Sequence, residues 1–290
     1  MSGTSPVRHA LSKAAPDSID PSDIDPSGTD DTDAGLSGTG LSGTERTRHR
    51  RLRENGRTDR AELFAVLRAG FVCHLGVVVD GAPMVVPTVY GFDATHLYFH
   101  GSVASRSLVA VGDPAGGPAR ETGQKAEQEV EQETVREAQR EIPLVCVTVT
   151  HVDGLVLARS VFEHGVNYRS AMIYGRPRVL GGADKLEGLR IVTEHCAPGQ
   201  WDYARRPSRK ELAATTLLAL PLDEASVKIS SGPPQDGDGP DAELGLWAGV
   251  VPLTSGRGAP EPDPALPPGI GVPAHITALG GPALPASSRP

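Results

Sequence analysis

Apolar and polar positions alternate along most of the middle of this chain, and that period of two is the mark of half-buried strands. The first, Phe71 to Val79, is rich in β-branched residues. Asp80-Gly81 follows, a dipeptide suited to a two-residue hairpin turn, with Pro83 just beyond it. Met84 to Tyr90 returns as a second strand, and a turn over Gly91–Thr95 leads into a third, His96–His100. Three strands joined by short turns predict an antiparallel meander. The alternation resumes at Leu144–Thr150, where Val145, Val147 and Val149 interleave with Cys146 and Thr148. Asp153-Gly154 predicts a turn there, pairing this strand with Leu155–Arg159. Ser160–Tyr168 reads as a connection with room for one helical turn. Ser170–Tyr174 and Arg176–Leu180 are two short strands about Gly175. Thr216–Leu222 and Ala225–Ser230 flank Asp223-Glu224, and Trp247–Val251 is a last apolar piece.

Two segments carry the helical period instead. From Asp59, Leu63, Phe64, Val66 and Leu67 share one face, Asp59 and Glu62 have capping-box spacing, and Gly70 ends the run. Between Gly182 and His195, Leu186, Leu189 and Val192 step by three, and Pro198-Gly199 stops the helix. Many short strands with few helices predict a mainly β (α+β) chain, a closed or partly closed barrel with helices at its periphery.

Composition trims this picture to one folded domain. The 34 glycines and 26 prolines are denser towards the two ends than in the middle, and only 4% of residues are aromatic. Residues 1–45 are Ser, Asp, Gly, Thr and Pro with hardly an apolar anchor, so they are expected to be disordered. Residues 113–141 form an exposed charged insertion, and residues 256–290 a Pro/Gly-rich extended tail, leaving 46–255 as the domain. The net charge of −8 belongs to these appendages: it is −6 over 1–45 and −4 over 113–141, leaving about +2 elsewhere. Arg46, Arg48, Arg50, Arg51, Arg53 and Arg57 make a basic patch. With no aromatic residue interleaved and no binding motif around it, the patch is taken as a solvated leader, and no nucleic-acid partner is expected. Cys73, Cys146 and Cys196 are scattered without CxxC spacing. Reduced thiols, no apolar run near the roughly 20 residues a membrane span needs, and no basic-then-apolar leader together predict a cytoplasmic protein without a membrane partner.

Most familiar chemistries are absent from the sequence. There is no His-Cys cluster of ligand spacing, no GxSxG elbow and no Walker loop; the one HxxxH, His96–His100, falls on a predicted strand rather than a helix, and the one GxGxxG, Gly38–Gly43, falls in the segment expected to be disordered. What stands out is Leu97–Leu108, a strand end followed by Gly101, Ser102, Ser105, Arg106 and Ser107. A small-residue loop opening a helix, with hydroxyls and an arginine, can seat a phosphate; it can equally be a plain connection with an exposed arginine.

Phe71-Val72-Cys73-His74-Leu75-Gly76, Asp80–Tyr90 and Leu97–Ser102 resemble the pyridoxamine 5′-phosphate oxidase-like FMN-binding split barrels. Asn167–Gly175 and Trp247–Leu253 are similar to later segments of the subgroup that includes nitroimidazole-resistance proteins. The resemblance implies a homodimer with FMN in a groove between subunits, and an oxidoreductase passing electrons to a small organic acceptor. It implies that Ser105 and Arg106 grip the flavin phosphate, with Ser107 standing where a lysine is usual and Arg169 a candidate to restore the charge. It places Val86, Pro87 and Thr88 along the isoalloxazine edge, and His100, Gly101 and Ser102 beside the ring, with His100 as the candidate catalytic group. Each residue also has a plainer structural reading: Ser105 as a helix cap, Thr88 as a cross-strand partner, His100 as packing. Relatives of the same barrel that hold a deazaflavin or haem, and a non-catalytic flavin-binding regulator, remain open.

Overall fold

The computed structural model describes residues 40–41, 44–49, 53–103, 105 and 143–281. The strands are β1 (Gly56–Arg57), β2 (Val72–Val79), β3 (Ala82–Phe92), β4 (His96–Ser102), β5 (Val145–Leu157), β6 (Gly165–Gly175), β7 (Arg178–Val179), β8 (Thr215–Pro221), β9 (Glu224–Ser230) and β10 (Gly249–Pro252). The α-helices are α1 (Arg60–Arg68), α2 (Gly182–Cys196), α3 (Gln200–Tyr203), α4 (Arg209–Ala213) and α5 (Ala274–Leu279). The strands form one antiparallel sheet in the order β1-β9-β6-β5-β2-β3-β4-β8-β7, with β10 alongside β5. It curls into a half-barrel with the helices at its flanks, the split-barrel architecture.

Local chemistry explains the elements that matter. Asp59 caps α1 by accepting the Ala61 N–H at 2.9 Å. Asp80 and Gly81 both take positive φ, 52° and 78°, so the β2–β3 hairpin turns with the twist its strands require. Val145, Val147 and Val149 are buried while Cys146 and Thr148 are half-buried, as the alternation predicts. The core gathers Leu63, Leu67, Leu75, Tyr90, Phe99, Ile173 and Leu217, all essentially buried. Each such side chain contributes about 1.5–3 kcal/mol by leaving water. The three cysteines are free.

Three expectations change. Val145–Leu157 is one strand, not a hairpin, and Asp153-Gly154 is an irregularity in its pairing with β6. A Cβ at Gly154 would sit 2.9 Å from Val250 Cγ1, so the glycine lets β10 lie close. The leader is partly docked: Arg46 makes a two-point ion pair with Glu224, and β1 pairs with β9. Residues 256–281, expected as an extended tail, carry α5, whose His275 meets Gln200 Oε1 at 2.9 Å. The charged insertion over 113–141 lies outside the described residues.

Helix α2 lies against β3 and β4 because glycines let it. A Cβ at Gly91 would fall 2.6 Å from Val192 Cα, and one at Gly188 would fall 2.6 Å from Leu217 Cδ2. Tyr98, Leu180, Val192, Leu217 and Ala219 fill the contact.

Candidate functional site

The sheet parts between β3 and β4. β3 follows β2 over eight residue pairs, Val72↔Val89 to Val79↔Ala82, but meets β4 at only three: Tyr90↔Phe99, Gly91↔Tyr98 and Phe92↔Leu97. Beyond Phe99, β4 leaves with β8, where His100, Gly101 and Ser102 face Leu217, Thr216 and Thr215. The Tyr90 N–H donates to the Phe71 carbonyl at 3.1 Å, which fixes the alternation along β3. Backbone groups of Val86 and Thr88 therefore turn to β2, and those of Val85, Pro87 and Val89 turn to the open edge. Pro83 and Pro87 have no N–H, so the free edge offers donors at Val85 and Val89 and carbonyls at Pro83, Val85 and Pro87. Of the three residues expected along a ring edge, only Pro87 presents its backbone there. The Thr88 hydroxyl lies 3.4 Å from both the Val89 and His100 carbonyls, at the outer limit for either bond.

His100 stands where the strands separate. Its Nδ1 is buried with no hydrogen-bond partner, and burial holds its pKa below the usual histidine value. The ring is therefore neutral at pH 7, able to accept or relay a proton rather than to stand as a fixed cation. It lines a cavity of about 340 Å³ with Leu189, Thr193, Trp201, Arg205, Leu212 and Thr215. Arg205 and Glu211 form a two-point pair there, at 2.7 and 2.9 Å. Hydrogen bonds from Arg205 and from Ser208 pull the Glu211 carboxyl down to about 2, so the pair stays ionised across the neutral range. Trp201 and Arg205 were not found from the sequence. They sit just past the Pro198-Gly199 helix stop, and only the return of α3 and α4 over β4 brings them to His100.

The other expected residues divide. The Ser105 N–H donates to the Ser102 carbonyl at 2.9 Å, closing a turn directly after β4. Arg106 and Ser107 lie outside the described residues. Arg169, on β6, is held by Asp153 through two bonds of 2.8 and 2.9 Å, and β5 and β2 stand between it and β3. Its charge is already matched. No cluster of three or more metal-ligating side chains occurs among the described residues, and no helix there is long and apolar enough to cross a membrane.

The family model for pyridoxamine 5′-phosphate oxidase matches residues 59–128 and 126–229, more than half of the chain. The chain belongs to this family. Among solved structures, the flavocytochrome Anf3 from Azotobacter vinelandii is 32% identical, covering 82% of this chain and 98% of that one, with a TM-score of 0.69. An FAD and haem binding protein from Mycobacterium smegmatis is 33% identical, covering 78% and 98%, with a TM-score of 0.66. A candidate 5-nitroimidazole antibiotic resistance protein from Bacteroides thetaiotaomicron, the subgroup suggested by the sequence, matches at 16% identity, covering 60% and 86%, with a TM-score of 0.42. No curated protein matches the sequence.

Proposed function

We propose that this member of the pyridoxamine 5′-phosphate oxidase family is a flavoprotein that holds its flavin along the open edge of β3, and that it passes electrons to a small organic acceptor. The observation that carries the reading is that edge. Its unpaired N–H groups at Val85 and Val89 and its Pro87 carbonyl supply both donors and an acceptor, and the polar rim of an isoalloxazine carries both kinds of partner. The turn closed by Ser102 and Ser105 lies at the end of the neighbouring strand, so Ser105, Arg106 and Ser107 are the residues proposed to hold the phosphate.

A bound flavin would supply the redox chemistry; the protein supplies placement and electrostatics. The β3 edge would orient the ring. Neutral His100, which lines its cavity with Leu189 and Trp201, would accept or return a proton at Nδ1. The sheet also exposes Val78, Val85, Val152, Leu155 and Met172, an apolar surface that a second copy would cover. The working form is accordingly proposed as a homodimer.

FMN is the flavin suggested by the sequence, whereas the Mycobacterium smegmatis relative is named for FAD and haem, and the Azotobacter vinelandii relative is a flavocytochrome. Both match across 98% of their own length, which favours a second reading in which haem is bound as well. A ring nitrogen with no hydrogen-bond partner, such as His100 Nδ1, is a donor that a haem iron accepts.

Absorbance of the purified protein, with mass spectrometry of the cofactor released on denaturation, tests both readings. A flavin spectrum with FMN or FAD in the supernatant is expected. A protein that carries no flavin and takes up neither form on reconstitution overturns the proposal. A Soret band that is lost in His100→Ala would establish the second reading.

A further inference from the structure

A separate cleft of about 560 Å³ opens where the end of α1 meets β2, β5, α2 and the chain around Arg257. It shares no lining residue with the His100 cavity, and its volume is in the range of small-molecule sites. Two guanidinium groups line it, from Arg68 and Arg257, and no Asp or Glu does. Neither arginine has a carboxylate partner among the described residues. Arg68 lies 5.8 Å over the Phe64 ring, and Arg257 lies 5.9 Å over the Phe71 ring and reaches the Cys196 carbonyl at 3.4 Å. Asp153, two residues from His151 on β5, is occupied by Arg169.

The floor is kept open and its histidines are fixed. A Cβ at Gly70 would sit 2.5 Å from His151 Cε1. His151 Nε2 meets the Val66 carbonyl at 2.9 Å, and His195 Nε2 meets the Gly70 carbonyl at 2.7 Å. A carbonyl can only accept, so both rings carry their proton on Nε2. Burial, with Arg257 nearby, holds His195 below its usual pKa, so that ring adds no positive charge to the cleft at neutral pH. Phe71 and Val72 are 45% and 42% exposed beside it and offer an apolar wall.

We propose that this cleft binds an oxyanion, a carboxylate or a phosphate, carried on a flat apolar body. Arg68 and Arg257 take the charge in charge-assisted bonds, and Phe71 and Val72 take the body. The site is distinct from the flavin edge and does not depend on it.

Isothermal titration of the purified protein with phenyl phosphate, benzoate and inorganic phosphate tests this, alongside Arg68→Gln, Arg257→Gln, the double variant and the surface control Arg178→Gln. Saturable binding of phenyl phosphate or benzoate is expected, weakened about tenfold by each single change and about a hundredfold by both, with the control unchanged. The tighter of the two organic probes identifies the anion. Imidazole resonances of His151 and His195 should move on saturation while those of His100 stay. Both arginines are exposed, so the variants should melt with the parent, and their thermal transitions are read in parallel. Failure of both organic probes to bind, binding indifferent to the double substitution, or shifts confined to His100 would each overturn the proposal. Inorganic phosphate binding as tightly as phenyl phosphate would overturn the apolar half of it.

Discussion

The Tyr90 hydroxyl donates to the Leu67 carbonyl at 2.6 Å, joining β3 to the last turn of α1. It is one of three side chains that close this helix end, with His151 on the Val66 carbonyl and His195 on the Gly70 carbonyl. A helix leaves its final carbonyls unpaired, and here the barrel and α2 satisfy them from three directions. Tyr90 is fully buried, so Tyr90→Phe strands a carbonyl away from water. The expected loss is about 1–3 kcal/mol, read from urea denaturation. A change below about 0.3 kcal/mol would show that the bond is replaced.

Gly91→Ala should be worse tolerated than its single methyl suggests. The added carbon would meet Val192 Cα at 2.6 Å and the Ile191 carbonyl oxygen at 2.7 Å, both backbone atoms of α2. Helix and strand must separate, at a cost on the order of 2 kcal/mol or more. Thermal unfolding of the variant checks it.

Two half-buried histidines set an acid limit to stability. His100 and His195 are held below the usual histidine pKa chiefly by burial, so the folded state binds their protons less readily than the unfolded chain. Stability is then full above an unfolded pKa of about 6.5 and falls as pH drops through that value. The fall ends once the folded-state imidazoles themselves titrate. His100→Gln should flatten part of this decline in a pH series of denaturation curves; an unaltered slope would contradict the burial argument.

Arg169→Gln should matter little. The pair with Asp153 is about one-third exposed on each side, and such ion pairs contribute about 1 kcal/mol or less. Flavin affinity should stay within about twofold of the parent, because the guanidinium is already spent on Asp153. A tenfold weakening in a cofactor titration would return Arg169 to the phosphate site.

The meander and both long helices were legible in the sequence because each is written locally, in alternation, a cap or a turn dipeptide. The two Asp-Gly pairs show where local signals end. Asp80-Gly81 turns the chain, with both residues at positive φ. Asp153-Gly154 stays within a strand, since its aspartate answers Arg169 and its glycine makes room for Val250. Likewise His100 was singled out by its place at a predicted strand end, and β4 in fact runs on to Ser102. Arg68, His151, His195 and Arg257 carry no shared spacing, and the fold alone assembles them. The short α5 was hidden by the prolines around it, and its contacts with Gln200 and Tyr203 hold it in place.

Prolines at 83 and 87 leave the rim of β3 with too few hydrogens to template a foreign polypeptide. A gap in a sheet is ordinarily an invitation to stray chains; this one turns them away while staying accessible to a small guest. The molecule can thus keep its seam ajar without sticking to its neighbours.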